Sequence, residues 1–179
     1  MARAIARAVA FGVLASACSA PAPLPELAAA ERQARAGDVD QALASYRAAQ
    51  VSCTGIRIAR RRREACGQAL VGEAELLVDA GRVDEAITAY AAIPDKVDHD
   101  PPPSATGLFR AGVLRLARAE ATTPPDAAEE KAAWTLLWQV VTDYPDEAFA
   151  GDAVERLLHD GLDRDARALF AQFSSVMSV

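Results

Sequence analysis

The clearest hydrophobic pattern in the chain is a ten-residue motif that occurs twice, 44 residues apart. Residues 37–46 read GDVDQALASY and residues 81–90 read GRVDEAITAY, so glycine, valine, aspartate, alanine, an aliphatic residue and tyrosine share one register. The alanine stands four residues before the tyrosine, which places both on one face of a helix. A repeat period of this length is typical of arrays built from helical hairpins.

The motif also predicts where helices end and begin. Gly37 and Gly81 are each expected to end a helix in a left-handed cap. Asp40 and Asp84 then lie near the start of the next helix, where an acidic side chain is favoured by the helix dipole. A weaker third copy from Gly161 to Phe170 keeps the glycine, the alanine and an aromatic residue.

Hydrophobic periodicity predicts four helical hairpins between about residues 24 and 177. In the third hairpin, the residues expected to face inward are Phe109, Val113, Leu116, Ala133, Leu137 and Val140. The expected helices are one from about Leu24 to the first motif, one that buries Leu70, Ala74 and Leu77, the two that follow Gly37 and Gly81, a pair at about 104–121 and 126–143, and a pair at about 146–161 and 162–177.

Three segments between these helices are expected to be loops. They are residues 51–58, 94–103 and 122–125, which contain turn-forming and helix-breaking residues. The three prolines at 101–103 favour an exposed, extended segment next to His99.

This arrangement resembles the tetratricopeptide repeat, a helix-turn-helix unit with the same small-residue and aromatic spacing in its second helix. Residues 141–148, VTDYPDEA, are similar to the tyrosine-proline step between units of periplasmic tetratricopeptide proteins. Such proteins include lipoproteins of outer-membrane barrel assembly, Tol-Pal-associated proteins and pilotins. The resemblance implies an all-α fold, an array of about four antiparallel helical hairpins in a right-handed α-solenoid.

The resemblance also implies a partner-binding groove, built mainly from the first helix of each hairpin. Carried over onto this sequence, the groove positions are Gln68, Glu75, Arg110 and Glu155. Glu73 departs from the family pattern, because a bulky apolar residue is usual at its position. Which face of the helix that contains Glu73 lines the groove is therefore not fixed by the sequence.

The N-terminal segment predicts export. Residues 1–7 carry two arginines and no acid, and residues 8–17 form an uncharged apolar run. A ten-residue helix spans only about 15 Å, which is half a bilayer core and fits a signal peptide. The sequence LASAC at 14–18 resembles the lipobox of bacterial lipoproteins, in which the cysteine, here Cys18, is lipidated. The alternative is ordinary secretion after an A-x-A cleavage site, with Cys18 left as a free thiol.

These features divide the chain into a signal peptide at 1–17, a lipidated cysteine and proline-rich tether at 18–25, and a repeat domain at 26–179. In the lipoprotein family, aspartate just after the cysteine marks retention at the inner membrane. Ser19 and Ala20 stand there instead, so the resemblance implies an outer-membrane anchor with the domain in the periplasm.

Composition supports a folded, helical chain. Alanine accounts for 42 of the 179 residues and aromatic residues for 6%, which favours helices over strands. Charged residues make up 25% and hydrophobic residues 51%, which excludes a disordered chain. The net charge of −6, which becomes −8 without the two arginines of residues 1–17, argues against nucleic-acid binding.

The three cysteines are consistent with export. If Cys18 carries lipid, Cys53 and Cys66 remain, and an oxidising compartment lets them pair across 13 residues. The alternative is two unpaired thiols. A zinc site is not expected, because no histidine or further cysteine lies nearby to complete four ligands.

Candidate chemistry elsewhere is sparse. His99, between Asp98 and Asp100, is a weak metal-site candidate, and His159 is expected at a helix end, where it interacts with the dipole. Nucleophile-elbow, zinc-protease and phosphate-loop motifs are absent from the sequence, so neither an enzyme nor a cofactor is expected.

Arginine is concentrated in one segment, at Arg57, Arg60, Arg61, Arg62 and Arg63. One interpretation is a solvated helix start, with arginine stems covering apolar neighbours. The other is contact with an acidic partner or with anionic lipid headgroups.

The sequence thus predicts a non-catalytic scaffold that binds a peptide or partner protein at the cell envelope and is tied to the membrane by its lipid. The alternative is a structural accessory subunit of an envelope assembly or secretion machine, such as barrel assembly, a Tol-Pal-like system or a pilotin-like role. Neither hypothesis names the partner.

Overall fold

The computed structural model describes residues 24–159, and its regular secondary structure is entirely helical over that range, which confirms the all-α prediction. The signal peptide, Cys18, the motif copy after Gly161 and the helix predicted at 162–177 lie outside the described residues. The helices are α1 Pro25–Ala36, α2 Val39–Cys53, α3 Ala59–Asp79, α4 Val83–Ala91, α5 Ile93–Lys96, α6 Pro101–Glu120, α7 Ala127–Asp143 and α8 Ala148–His159.

The long helices pack in the order in which they occur along the chain. Helix α1 packs on α2, α2 on α3, α3 on α4, α4 on α6, α6 on α7 and α7 on α8, while the four-residue α5 joins α4 to α6. In addition α3 contacts α6, and α6 contacts α8. Helices α3, α6 and α8 therefore lie side by side.

Both repeat glycines end helices as the motif predicts. Gly37 and Gly81 have φ angles of 83° and 73°, in the left-handed region that glycine adopts without strain. The amide that follows each glycine donates to a carbonyl five residues earlier, at 2.9 and 2.8 Å, and this completes a Schellman cap. The next helices carry Asp40 and Asp84 in their first turns. The predicted caps and helix starts are confirmed.

The repeated alanine and tyrosine form the helix contacts. Ala42 and Ala86 are fully buried, and Tyr46 and Tyr90 are 8% and 2% exposed. The ring of Tyr46 lies directly over Gly72 of α3, where an added Cβ would be 2.5 Å from the ring. The first copy of the motif thus places an aromatic ring against Gly72 of the next helix.

The inward face of the third helix pair is predicted only in part. Leu116, Ala133, Leu137 and Val140 are buried as expected. Phe109 and Val113, however, are only half-buried, while Leu108 and Gly112 are buried. The buried face of α6 is thus rotated from the predicted one, because Phe109 stacks on Phe149 of α8 at a centroid distance of 4.8 Å.

Two of the predicted loops are wrong in their bounds. The prolines at 101–103 are the first turn of α6 and not an extended segment. Amides in the first turn of a helix have no intrahelical acceptor, so proline is tolerated there. Residues 51–53 continue α2, and residues 93–96 form α5. The loop at 122–125 is confirmed, and Asp126 caps α7 by accepting from the amides of Ala128 and Glu129.

An ion-pair network holds α6 between its neighbours. Arg118 of α6 pairs with Asp84 of α4 and, at 2.6 Å, with Glu129 of α7, which also pairs with Arg115. The hydrogen bond from Arg118 is the main cause of a lowered Glu129 pKa. These contacts connect three helices that are separated along the chain.

Candidate binding groove

A groove of about 730 Å³ is lined by residues of α1, α2, α3 and α6. Leu27 and Glu31 of α1, Tyr46 of α2 and residues 102, 103 and 106 of α6 line it, and α3 supplies most of the remaining surface. The volume lies within the range of about 300–1,000 Å³ that is usual for ligand sites. The groove is open along one side, so it suits a chain segment better than an enclosed small molecule.

Two glycines of α3 set the shape of this groove. At Gly67 an added Cβ would be 3.0 Å from the Cβ of Pro103, so α3 and α6 approach closely there. At Gly72 the missing side chain leaves room for the Tyr46 ring. The groove floor is therefore glycine backbone and an aromatic ring, and side chains rise at its edges.

Charged side chains of both signs line the groove, with Arg60, Arg63, Glu64 and Asp100 near the start of α3 and Glu31 and Glu75 farther along it. Near the start of α3, Arg63 forms an ion pair with Asp100, whose Oδ1 lies 2.9 Å from the arginine Nε, and Arg60 lies one turn before Arg63. Toward the other end of α3 lies Glu75, which has no ion pair within residues 24–159, and Glu31 of α1 is likewise unpaired there. The groove thus offers arginines at one end and free carboxylates along its length.

The groove carboxylates affect the pKa values of Tyr46 and Tyr90, the tyrosines of the two motif copies. Burial raises the pKa of the Tyr46 hydroxyl, and the Glu31 and Glu75 carboxylates raise it further. Burial raises the pKa of Tyr90 to about 12, and Glu75 again contributes. Both phenols remain protonated at physiological pH and can donate hydrogen bonds, which gives them a structural rather than an acid–base role.

The structure brings together two of the four groove residues carried over from the family. Gln68 and Glu75 both line the groove. Arg110 lies close enough to Tyr90 to lower its pKa, and its guanidinium carbon is 5.9 Å from the Phe149 ring centroid, but it is not part of the groove lining. Glu155 is exposed on α8, also outside the lining.

The departure at Glu73 has a physical explanation. Its side chain is buried between α2 and α3, where Arg47 donates from Nε at 2.7 Å and Gln50 donates from Nε2 at 2.5 Å. A buried carboxylate is tolerated when both oxygens accept hydrogen bonds. Leu70 and Leu77 are buried as predicted, so the register of α3 is the expected one.

The two cysteines of residues 24–159 are bonded to each other. Cys53 at the end of α2 and Cys66 in α3 form a disulfide with a Cα–Cα distance of 5.4 Å.

The two histidines lie in different parts of the fold. His99 is exposed and its Nδ1 lies 3.2 Å from the Tyr144 hydroxyl, whereas His159 is the last residue of α8. Across residues 24–159, no three His, Cys, Asp or Glu side chains are grouped to hold a metal ion.

Sequence reasoning missed three residues of this site. Tyr46 was expected only to fill space beside Ala42, yet its ring also lines the groove. Nothing in the sequence around Gly72 or Asp100 indicates that they belong to the groove, because their roles depend on contacts with residues of other helices. The fixed spacing between Tyr46 and Gly72 is a signal only once the pairing of α2 with α3 is known.

Comparisons with protein-family models, with curated proteins and with solved structures found no match. Among the helices of residues 24–159, none combines the length and the apolar character needed to cross a membrane. The function must therefore be argued from the groove and from the sequence motifs.

Proposed function

We propose that this chain is a non-catalytic protein-binding lipoprotein of the cell envelope. Its helices form a right-handed array of about four tetratricopeptide-like hairpins, and the groove holds a segment of a partner protein. The observation that carries this proposal is the position of the groove on α1 and α3, with α6 closing it. Helical repeat arrays bind partners on the concave surface that such first helices form.

The chemistry of the groove indicates which partner segment fits. The half-buried Val71 offers an apolar contact, and the unpaired Glu31 and Glu75 call for a basic side chain. Gln68, which is exposed, supplies an amide that can bond to an extended backbone. A short segment that carries a basic residue beside apolar ones matches all three features.

A photocrosslinking amino acid at Gln68 is expected to capture a partner in living cells, because this position lies in the groove. Adding Glu75→Lys should reduce the captured fraction about tenfold, equivalent to about 1.4 kcal/mol, because a lysine there repels the basic side chain. The yield of the crosslinked band on gels, quantified against total protein, measures the effect.

Two matched controls accompany this experiment. The same crosslinker at Ala44, an exposed position on α2 outside the groove, should yield little product. Glu120→Lys, an exposed charge reversal at the end of α6, should leave capture at Gln68 unchanged. Equal capture from Gln68 and Ala44 would contradict the groove and favour a structural accessory subunit.

The lipid anchor has its own test. Intact mass measurement of the membrane-extracted chain should show a mature protein that begins at Cys18 and carries acyl groups. Each buried methylene contributes about 0.8 kcal/mol to membrane binding, so the acylated chain should fractionate with membranes. Cys18→Ser should move it to the soluble fraction. A mature chain without acyl mass contradicts the anchor.

A further inference from the structure

One end of the molecule concentrates unpaired positive charge. Arg57, Arg60, Arg61 and Arg62 are exposed, and none of them has an ion pair within residues 24–159. Arg63, in contrast, is paired with Asp100. The described part of an otherwise acidic protein thus leaves four neighbouring cations without partners.

The position of these arginines is unfavourable for helix stability. Helix α3 begins at Ala59 and has no acidic residue in its first turn. Cations at a helix N-terminus repel the positive end of the dipole, whereas a bound anion is stabilised there. Side chains in a helix tilt toward its N-terminus, so Arg60, Arg61 and Arg62 lean toward the same end of the molecule although they lie at different angles around the axis.

Exposed apolar residues flank the same segment. Val51, near the end of α2, is 74% exposed, and Ile58, the residue before α3, is 55% exposed. We name these two residues and Arg57, Arg60, Arg61 and Arg62 the basic end. Basic side chains beside apolar ones are the combination by which peripheral proteins contact anionic membrane surfaces.

The chain enters the fold at this end. Ser52, near the end of α2, donates from its hydroxyl to the Glu26 carboxylate at 2.8 Å, so the start of α1 lies beside the end of α2. The disulfide from Cys53 to Cys66 joins that corner to α3. Cys18 lies seven residues before Pro25, a distance that spans at most about 25 Å when extended.

We propose that the basic end lies against the membrane, with its arginines on anionic phospholipid headgroups and Val51 and Ile58 at the interface. This proposal rests on the proposed anchor at Cys18, and it does not depend on the groove. The lipid would bring the surface within reach, and the arginines would set the orientation of the domain. The groove would then run away from the membrane along α3.

The test uses the full chain, extracted from membranes and reconstituted into vesicles that contain brominated lipid. Ile58→Trp introduces a fluorophore at the basic end. Ala80→Trp is the matched control, because Ala80 is exposed at the opposite end of the same helix, about 33 Å away. Trp134 and Trp138 are present in every chain, so the quenching is measured relative to the unsubstituted protein.

In vesicles with about a third phosphatidylglycerol, the Ile58→Trp chain should be quenched by brominated lipid and the Ala80→Trp chain should not. Adding Arg60→Gln, Arg61→Gln and Arg62→Gln should abolish the difference, while circular dichroism shows that the helices remain. Equal quenching of the two chains, or quenching unaffected by loss of the arginines, would overturn the proposal. Crosslinking of this end to an acidic protein without quenching would overturn it as well.

This outcome is separable from the two parts of the proposed function. The mass of the same preparation reports whether Cys18 is acylated, independently of where the domain lies. Capture at Gln68 reports on the groove. An acylated chain with an active groove but an unquenched Ile58→Trp signal would refute the membrane orientation alone.

Discussion

Replacing Gly107 by alanine is expected to destabilise the protein by about 2 kcal/mol. An added Cβ at this position would lie 2.5 Å from the carbonyl oxygen of Tyr90 and 3.0 Å from the Cβ of Ile93. The first of these atoms belongs to the backbone, so it cannot move aside without shifting α4. Overpacking typically costs about 1–3 kcal/mol, and a clash with backbone belongs at the upper end of that range. Subtracting the gain of about 1 kcal/mol from the higher helix propensity of alanine leaves the net loss of about 2 kcal/mol.

Gly151 provides the matched control. It also lies within a helix, α8, but no heavy atom of residues 24–159 outside its own stretch of that helix lies within 4 Å of its added Cβ. Gly151→Ala should therefore stabilise the protein by up to about 1 kcal/mol, because only helix propensity changes. The two substitutions are chemically identical and are expected to act with opposite signs.

Urea unfolding followed by far-ultraviolet circular dichroism measures both effects. The midpoint should fall for Gly107→Ala and rise for Gly151→Ala, with the slope of the transition unchanged. A Gly107→Ala chain as stable as the unsubstituted protein would show that α4 and α6 do not approach as closely as described.

Features that depend on local chemistry could be predicted from the sequence. Gly37 and Gly81 end helices because a left-handed residue is required there, whatever surrounds it. The burial of Ala86 and Tyr90 follows from their spacing on one helix face. Gln68 and Glu75 were instead carried over from the family's groove positions, and both line the groove beside α3.

Features that depend on contacts between distant residues could not be predicted. Glu73 interrupts the apolar pattern of α3. Its buried carboxylate accepts hydrogen bonds from Arg47 and Gln50, and these partners are found only once the pairing of α2 with α3 is known. The prolines before Ser104 were interpreted by their general preference for extended backbone, yet a helix start also tolerates them. Arg110 lies outside the groove because the lining ends one turn earlier on α6, and Glu155 lies outside it because α8 contributes no residue to the lining.

Removing the disulfide is expected to destabilise the protein by about 3 kcal/mol. The bond between Cys53 and Cys66 closes a loop of 13 residues, and on the chain-entropy model a loop of this length restricts the unfolded chain by about that amount. Alanine is the better replacement, because Cys53 is buried and a serine hydroxyl there would add its own cost. The double variant is therefore Cys53→Ala with Cys66→Ala.

The measurement compares urea midpoints of this variant and its parent, both carrying Cys18→Ser so that no third thiol exchanges with the bond. The parent treated with a reducing agent should unfold at nearly the same midpoint as the double variant, whereas the double variant should not respond to reduction. Equal midpoints for the oxidised and reduced parent would contradict a stabilising bond. A confirmed loss would show that a covalent bond stabilises the connection between α2 and α3, which carries the basic end. Such a bond forms and persists in an oxidising compartment.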